Sequence, residues 1–137
     1  MSDLDVQNIN SKTGNSAISI ADSGSVLLSA SASGATQTAN ATGSTTLDFS
    51  TYQNFVLTLT GNVTLDNPTT EAVGQSGFIV LIQDATGGRT VSLGSDFLTA
   101  NGAGIALSSA ASTTDIVPYV VSASNKILLG TPQLAFA

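Results

Sequence analysis

Three aspartates carry the carboxylates that could do chemistry in this chain. Asp84, Asp96 and Asp115 flank segments with the composition of β-strands, so loop ends could bring them together. Paired carboxylates could hydrolyse glycosides or bind Ca²⁺, whereas an aspartate at a strand end commonly caps a turn. We favour turn capping, because the sequence has no calcium-loop spacing and no tryptophan to serve as a sugar platform.

The missing residue types exclude most other catalytic chemistry. The chain has no histidine and no cysteine, so a Ser-His-Asp or Cys-His arrangement is impossible and a zinc site would need carboxylates alone. Lys12 and Lys126 lie in no motif that activates a serine. We therefore predict a non-enzymatic protein with no catalytic residue, no cofactor and no metal.

The charges bear on the choice of partner. The net charge is −6, and the cations Lys12, Arg89 and Lys126 are scattered. Phosphate neutralisation needs clustered Lys or Arg, so we expect neither nucleic acid nor an anionic membrane surface as a partner. Arg89 follows a Gly-Gly turn and could pair with Asp84, with Asp115 or with a neighbouring subunit, or lie solvated at a rim.

The elements that position these residues are predicted to be strands. Good helix formers other than Ala and Leu are scarce, while β-branched residues, Gly, Ser and Thr dominate. Residues 47–137 contain seven or eight short apolar segments with regular turn signals, which predict an all-β domain, an antiparallel β-sandwich of jelly-roll type. The apolar run Phe78–Ile82 is typical of a strand covered on both faces, and Pro118 predicts an edge or bulged strand.

The part before residue 47 divides in two. Residues 1–28 predict an extended β arm or hairpin, which is too short to bury its own apolar face and needs a partner. Residues 29–46, rich in Ser, Thr and Ala, predict a linker, with an edge strand in an oligomer as the alternative. The arm residues we predict to contact a partner protein or a sister subunit, with packing on their own sandwich as the alternative, are Leu4, Val6, Ile9, Ile18 and Ile20.

The sequence also resembles a known type of module. Segments 62–65, 74–84, 87–91 and 115–117 resemble a β-rich module of virion structural proteins of tailed phages, which is frequent in cyanophages. Such modules occur at the ends of fibres and knobs and in capsid decoration proteins. Residues 6–9, 16–20 and 23–26 are similar to the lead segment that attaches such modules to the particle. The chain departs from the pattern after segment 91–93. Several relatives have an aromatic residue directly after this strand, where this chain has Gly94-Ser95-Asp96-Phe97.

The resemblance implies a structural role in a virion. Our main prediction is a capsid decoration or cement protein on the outer capsid surface, assembled in the host cytoplasm, with the major capsid protein as its partner and a homotrimer as its oligomeric state. Its arms would bind the capsid subunits through apolar burial and strand pairing, and Arg89 would lie at a subunit contact. Three arms on one trimer would raise the effective concentration of each arm, so weak single contacts would add up to a firm attachment. The alternative is a tail fibre or tail-tip module that binds the host through its loops.

Overall fold

A computed structural model describes residues 31–136. The all-β class predicted from the sequence is confirmed, because these residues form eight strands and one short 3₁₀ turn at Ala100–Gly102. The strands are β1 (Thr36–Thr46), β2 (Asn54–Asp66), β3 (Ser76–Gln83), β4 (Val91–Leu93), β5 (Phe97–Leu98), β6 (Thr114–Ala123), β7 (Lys126–Leu129) and β8 (Gln133–Phe136).

The strands form one curled, mixed sheet, which corrects the predicted antiparallel sandwich. The strand order is β1-β2-β3-β6-β7-β5, while β4 continues the β3 edge of β2 and β8 continues the β7 edge of β6. Strand β2 is parallel to β1, β3 and β4, and β5 is parallel to β7. Only the pairs that involve β6 are antiparallel.

The alternation of apolar residues places the core on one face of the sheet. In β2 every odd-numbered residue from Phe55 to Leu65 is buried except Gly61, which is half-buried, and odd-numbered residues are likewise buried in the middle of β3 and β6. Successive strand residues point to opposite faces, so one face receives all of these side chains. The curl of the sheet and its loops cover this inner face, and Leu47, Phe49 and Phe97 complete the core.

Strand β1 corrects the linker prediction over its second half. Thr36–Thr46 pairs with β2 along nearly its whole length, with a bulge between Ala41 and Gly43. Threonine favours strands, and Ala41, which is fully buried, is small enough to pack against the core face. The position at the sheet edge agrees with the edge-strand alternative, while its oligomeric part stays a prediction.

Strand β3 is apolar on both faces, but only one face is covered within the described residues. Ile79 and Leu81 are buried in the core. On the opposite face Val80 and Ile82 are half-buried and Phe78 is 52% exposed. The two-sided burial predicted for Phe78–Ile82 is therefore absent from residues 31–136.

Pro118 lies in an interior strand, and the pairing with β3 has no register shift there, so neither the predicted edge nor the predicted bulge is found at this residue. On one side of β6, Pro118 is paired with Phe78 of β3. On the other side it faces the gap between β7, which ends at Leu129, and β8, which begins at Gln133. Its carbonyl accepts a hydrogen bond from the Gly130 amide at 2.9 Å. The missing proline N–H costs no ladder bond there.

Candidate binding surface

A loop cleft is a prominent concave feature of the described residues. It has a volume of about 700 Å³ and is lined by β4, β5, the 3₁₀ turn and the chain up to Ile105. We call it the 91–105 cleft. Its wall is uncharged: hydroxyls come from Ser92, Ser95 and Thr99, and the other lining residues are glycines and aliphatic or aromatic side chains.

Hydrogen bonds to the end of β2 fix the first wall of the cleft. The Asn67 side-chain amide donates to the Ser95 hydroxyl at 2.8 Å, and its oxygen accepts the Asp96 amide at 3.0 Å. The Gly94 amide donates to the Leu65 carbonyl at 2.7 Å. Asn67, which directly follows β2, therefore bonds both Ser95 and Asp96, so the position of this wall depends on the end of β2 as well as on the loop itself.

Left-handed backbone shapes the second wall. Asn101, Gly102 and Gly104 have φ values of 57°, 65° and 72°, a region that favours glycine and tolerates asparagine. The Thr99 hydroxyl accepts a hydrogen bond from the Gly104 amide at 2.9 Å. The wall therefore consists of exposed backbone and small side chains, which can hydrogen-bond a neutral ligand.

The three predicted carboxylates each accept hydrogen bonds within the fold. Asp84 caps its turn as predicted, because its Oδ1 accepts the Thr86 amide at 3.0 Å and the Gly87 amide at 2.9 Å. Asp96 accepts the Ser95 hydroxyl at 3.3 Å. Asp115 is fully buried in β6. Among residues 31–136 no three His, Cys, Asp or Glu side chains are grouped so that they could hold a metal ion.

Asp115 has a structural role that sequence reasoning missed. Its carboxylate accepts bonds from the Ser108 amide and hydroxyl, each at 2.7 Å, and from the Ala135 amide at 2.8 Å. These bonds tie the 103–113 loop and strand β8 to β6. A buried carboxylate without a cation is tolerated when several donors surround it. Its donors lie 7 and 20 residues away along the chain, so no local sequence pattern indicates that Asp115 links these segments.

Arg89 pairs with Asp84, one of the partners considered from the sequence. Its Nη2 lies 2.8 Å from Asp84 Oδ2, and its Nε donates to both carboxylate oxygens. The Arg89 guanidinium, with help from the turn amides, holds the pKa of Asp84 below its usual value. The Gln83 side chain bonds both the amide and the carbonyl of Arg89. The subunit-contact role of Arg89 stays a prediction.

The other predicted contact residues, Leu4, Val6, Ile9, Ile18 and Ile20, lie outside the described residues, as does the whole predicted arm. The major capsid protein and the homotrimer therefore stay predictions. Sequence reasoning did not identify the 91–105 cleft, whose walls come together only in the fold. Within residues 31–136 no helix has the length and hydropathy needed to cross a lipid bilayer.

Comparison with known proteins agrees with the resemblance seen in the sequence. Residues 34–125 match the model of the family described as "Putative phage tail fibre C-terminal domain". Searches of the curated proteins and of the solved structures found no match. The matched range contains β1 to β6 and the complete 91–105 cleft, and it covers more than half of the chain. The chain therefore belongs to this tail fibre C-terminal domain family, which makes it a structural component of a phage virion.

Proposed function

We propose that the protein is a non-enzymatic, host-binding domain of a phage tail fibre or tail tip. The observation that carries this proposal is the family match over residues 34–125. The match favours the tail alternative over our main prediction of a capsid decoration role. No observation supports the decoration role. A role in the tail also fits a rigid sheet that presents loops, because binding residues commonly lie on loops held by a scaffold.

We further propose that the 91–105 cleft contacts the host receptor. Its hydroxyls and exposed backbone suit a neutral, polar group of a surface glycan or protein. Phe97 in the cleft wall is only 5% exposed, so it offers no aromatic platform. The ligand would be held by hydrogen bonds and by aliphatic contacts with residues such as Leu93 and Leu98.

The first test is the copy number of the protein in purified virions, measured by quantitative mass spectrometry against the major capsid protein and known tail proteins. We expect a ratio close to that of the tail proteins. A ratio close to that of the major capsid protein would overturn the tail proposal and restore the decoration role.

The second test is binding of the purified full chain to host cells, measured with a fluorescent label. Ser92→Tyr adds a large ring at an exposed position of the cleft lining and is expected to weaken binding at least about tenfold, equivalent to about 1.4 kcal/mol. Ser124→Tyr makes the same change at an exposed position of the β6–β7 turn that does not line the cleft, and should bind like wild type. Equal binding by both variants would remove the cleft from the proposal.

A further inference from the structure

On the face of the sheet opposite the core, the part formed by β1, β2, β3 and β6 carries no charge and has an apolar centre. The strand registers align three rows of side chains across β1, β2, β3 and β6. They are the even-numbered residues of 36–40, 54–58, 78–82 and 114–118, and Gln133 of β8 extends the middle row. We call this surface the outer face.

The centre of the outer face is aliphatic. Its middle row consists of Thr38, Val56, Val80, Ile116 and Gln133. A groove of about 550 Å³ crosses this centre, and Phe78, which is 52% exposed, stands at its side. A sheet face exposed to water normally carries polar side chains. The apolar sequence of β3 on both sides is typical of a strand that is covered twice.

The lack of charge on the outer face bears on which partner can bind there. The chain has nine acidic and three basic residues, yet no charged residue lies in the three rows. An acidic or basic partner would gain no electrostatic attraction here. Two copies of the same acidic chain would repel each other on most surfaces, but they can meet on the outer face without placing like charges in contact.

The area of the face sets the strength of such a contact. Five strands spaced by about 4.8 Å and three rows along them give roughly 20 Å by 20 Å, or about 400 Å². Six of the thirteen residues in the rows are apolar, so the apolar part of the face is smaller than this. The whole face is about half of the roughly 800 Å² that each partner contributes to a standard stable complex. Association through this face should therefore depend on concentration.

We infer that the outer face is a contact surface for a second copy of this chain, with the exposed Phe78 ring and the adjacent groove packing against the neighbouring copy. The contact buries apolar area that remains exposed in the single chain, and it supplies the second cover that the sequence of β3 indicates. The inference does not depend on receptor binding, because the outer face and the 91–105 cleft share no residue.

The test is sedimentation velocity of the full chain over a concentration series. Wild type should shift to a larger species as concentration rises, and Phe78→Asp should raise the midpoint concentration at least about tenfold. Val73 is 68% exposed in the β2–β3 connection, outside the three rows. Val73→Asp therefore adds the same charge as a matched control and should associate like wild type.

Thr38→Glu is a second variant of the outer face, in case Phe78→Asp fails to fold. Thr38 is exposed and lies on the same face, so a charge there should not disturb the core. Thr38→Glu should also weaken association, while its thermal unfolding stays like that of wild type. Three results would overturn the inference: a wild type that is monomeric at every concentration, association that survives both face variants, or equal loss in Val73→Asp. Monomeric wild type would instead assign the face to a different virion protein. Ser92→Tyr should leave sedimentation unchanged, so receptor binding and self-association fail separately.

Discussion

At the scale of single residues, Tyr119 shows how burial changes an ionisation equilibrium. Its side chain is 4% exposed, and its ring contacts those of Phe49 and Phe55. The hydroxyl donates to the Gln53 carbonyl at 2.6 Å. Burial disfavours the phenolate and raises the pKa of Tyr119 to about 12.

This shift predicts a loss of stability in alkaline solution. An unfolded tyrosine has a pKa of about 10, so above that pH the unfolded chain loses a proton that the folded chain keeps. The stability contributed by the protonated side chain is complete below about pH 10 and is lost as pH rises towards about 12. Urea unfolding at a series of pH values measures this loss.

Tyr119→Phe should flatten the dependence over that interval, although it also removes the bond to Gln53 and lowers stability at neutral pH. Tyr52→Phe, which changes the other tyrosine of the chain, is the control and should retain the dependence. An unchanged alkaline loss of stability in Tyr119→Phe would show that another group is responsible.

The range of a side chain's contacts decides whether its role can be predicted from sequence. Asp84 bonds amides two and three residues ahead, and this spacing is the usual one for an aspartate in a turn. Asp115 bonds groups 7 and 20 residues away, which are brought together only by the fold. The first role was therefore predictable, and the second required the structure.

At the scale of elements, hydrophobic alternation predicts strands but not their directions. The alternating pattern of β2 was readable from sequence. Parallel and antiparallel strands have the same period of two, so the parallel pairing of β2 with β1 and β3 was not. Strand β1 was predicted only as the alternative to a linker, because its apolar positions hold only alanine, which gives little hydrophobic signal.

The connection between β3 and β4 depends on one buried side chain at the end of β3. Gln83 is nearly inaccessible to solvent, and its amide group bonds the Arg89 amide at 2.8 Å and the Arg89 carbonyl at 2.9 Å. These bonds replace strand pairing where the chain turns through Gly87 and Gly88. Gln83→Leu keeps the approximate size but leaves both backbone groups without this partner.

We expect Gln83→Leu to lower the free energy of unfolding by about 2 kcal/mol, the order of magnitude for unpaired buried polar groups. Chemical denaturation at low protein concentration measures the change. Gln133→Leu makes the same substitution at an exposed position of β8 and should change stability by less than about 0.5 kcal/mol. Similar effects of the two substitutions would mean that the Gln83 bonds do not hold the connection.

At the scale of the whole molecule, all buried apolar side chains of the described residues lie between Ala41 and Leu129. Gly34–Ala137 forms one compact unit by its internal contacts, and the family match begins at the same residue. A unit of this size can bury enough apolar surface to fold without disulfides or metals. The core, the 91–105 cleft and the outer face therefore belong to one cooperative unit.

This arrangement predicts that a fragment of residues 34–137 folds by itself. Its circular dichroism should be that of a β protein, and it should unfold in a single thermal transition within about 5 °C of the full chain, a difference of about 1 kcal/mol for this size. Such a result would place the determinants of the sheet after residue 33, where the edge strand β1 begins the core. A fragment without a cooperative transition would show that residues 1–33 are needed to complete the fold, because the described core would then be insufficient to offset the entropy of ordering the chain.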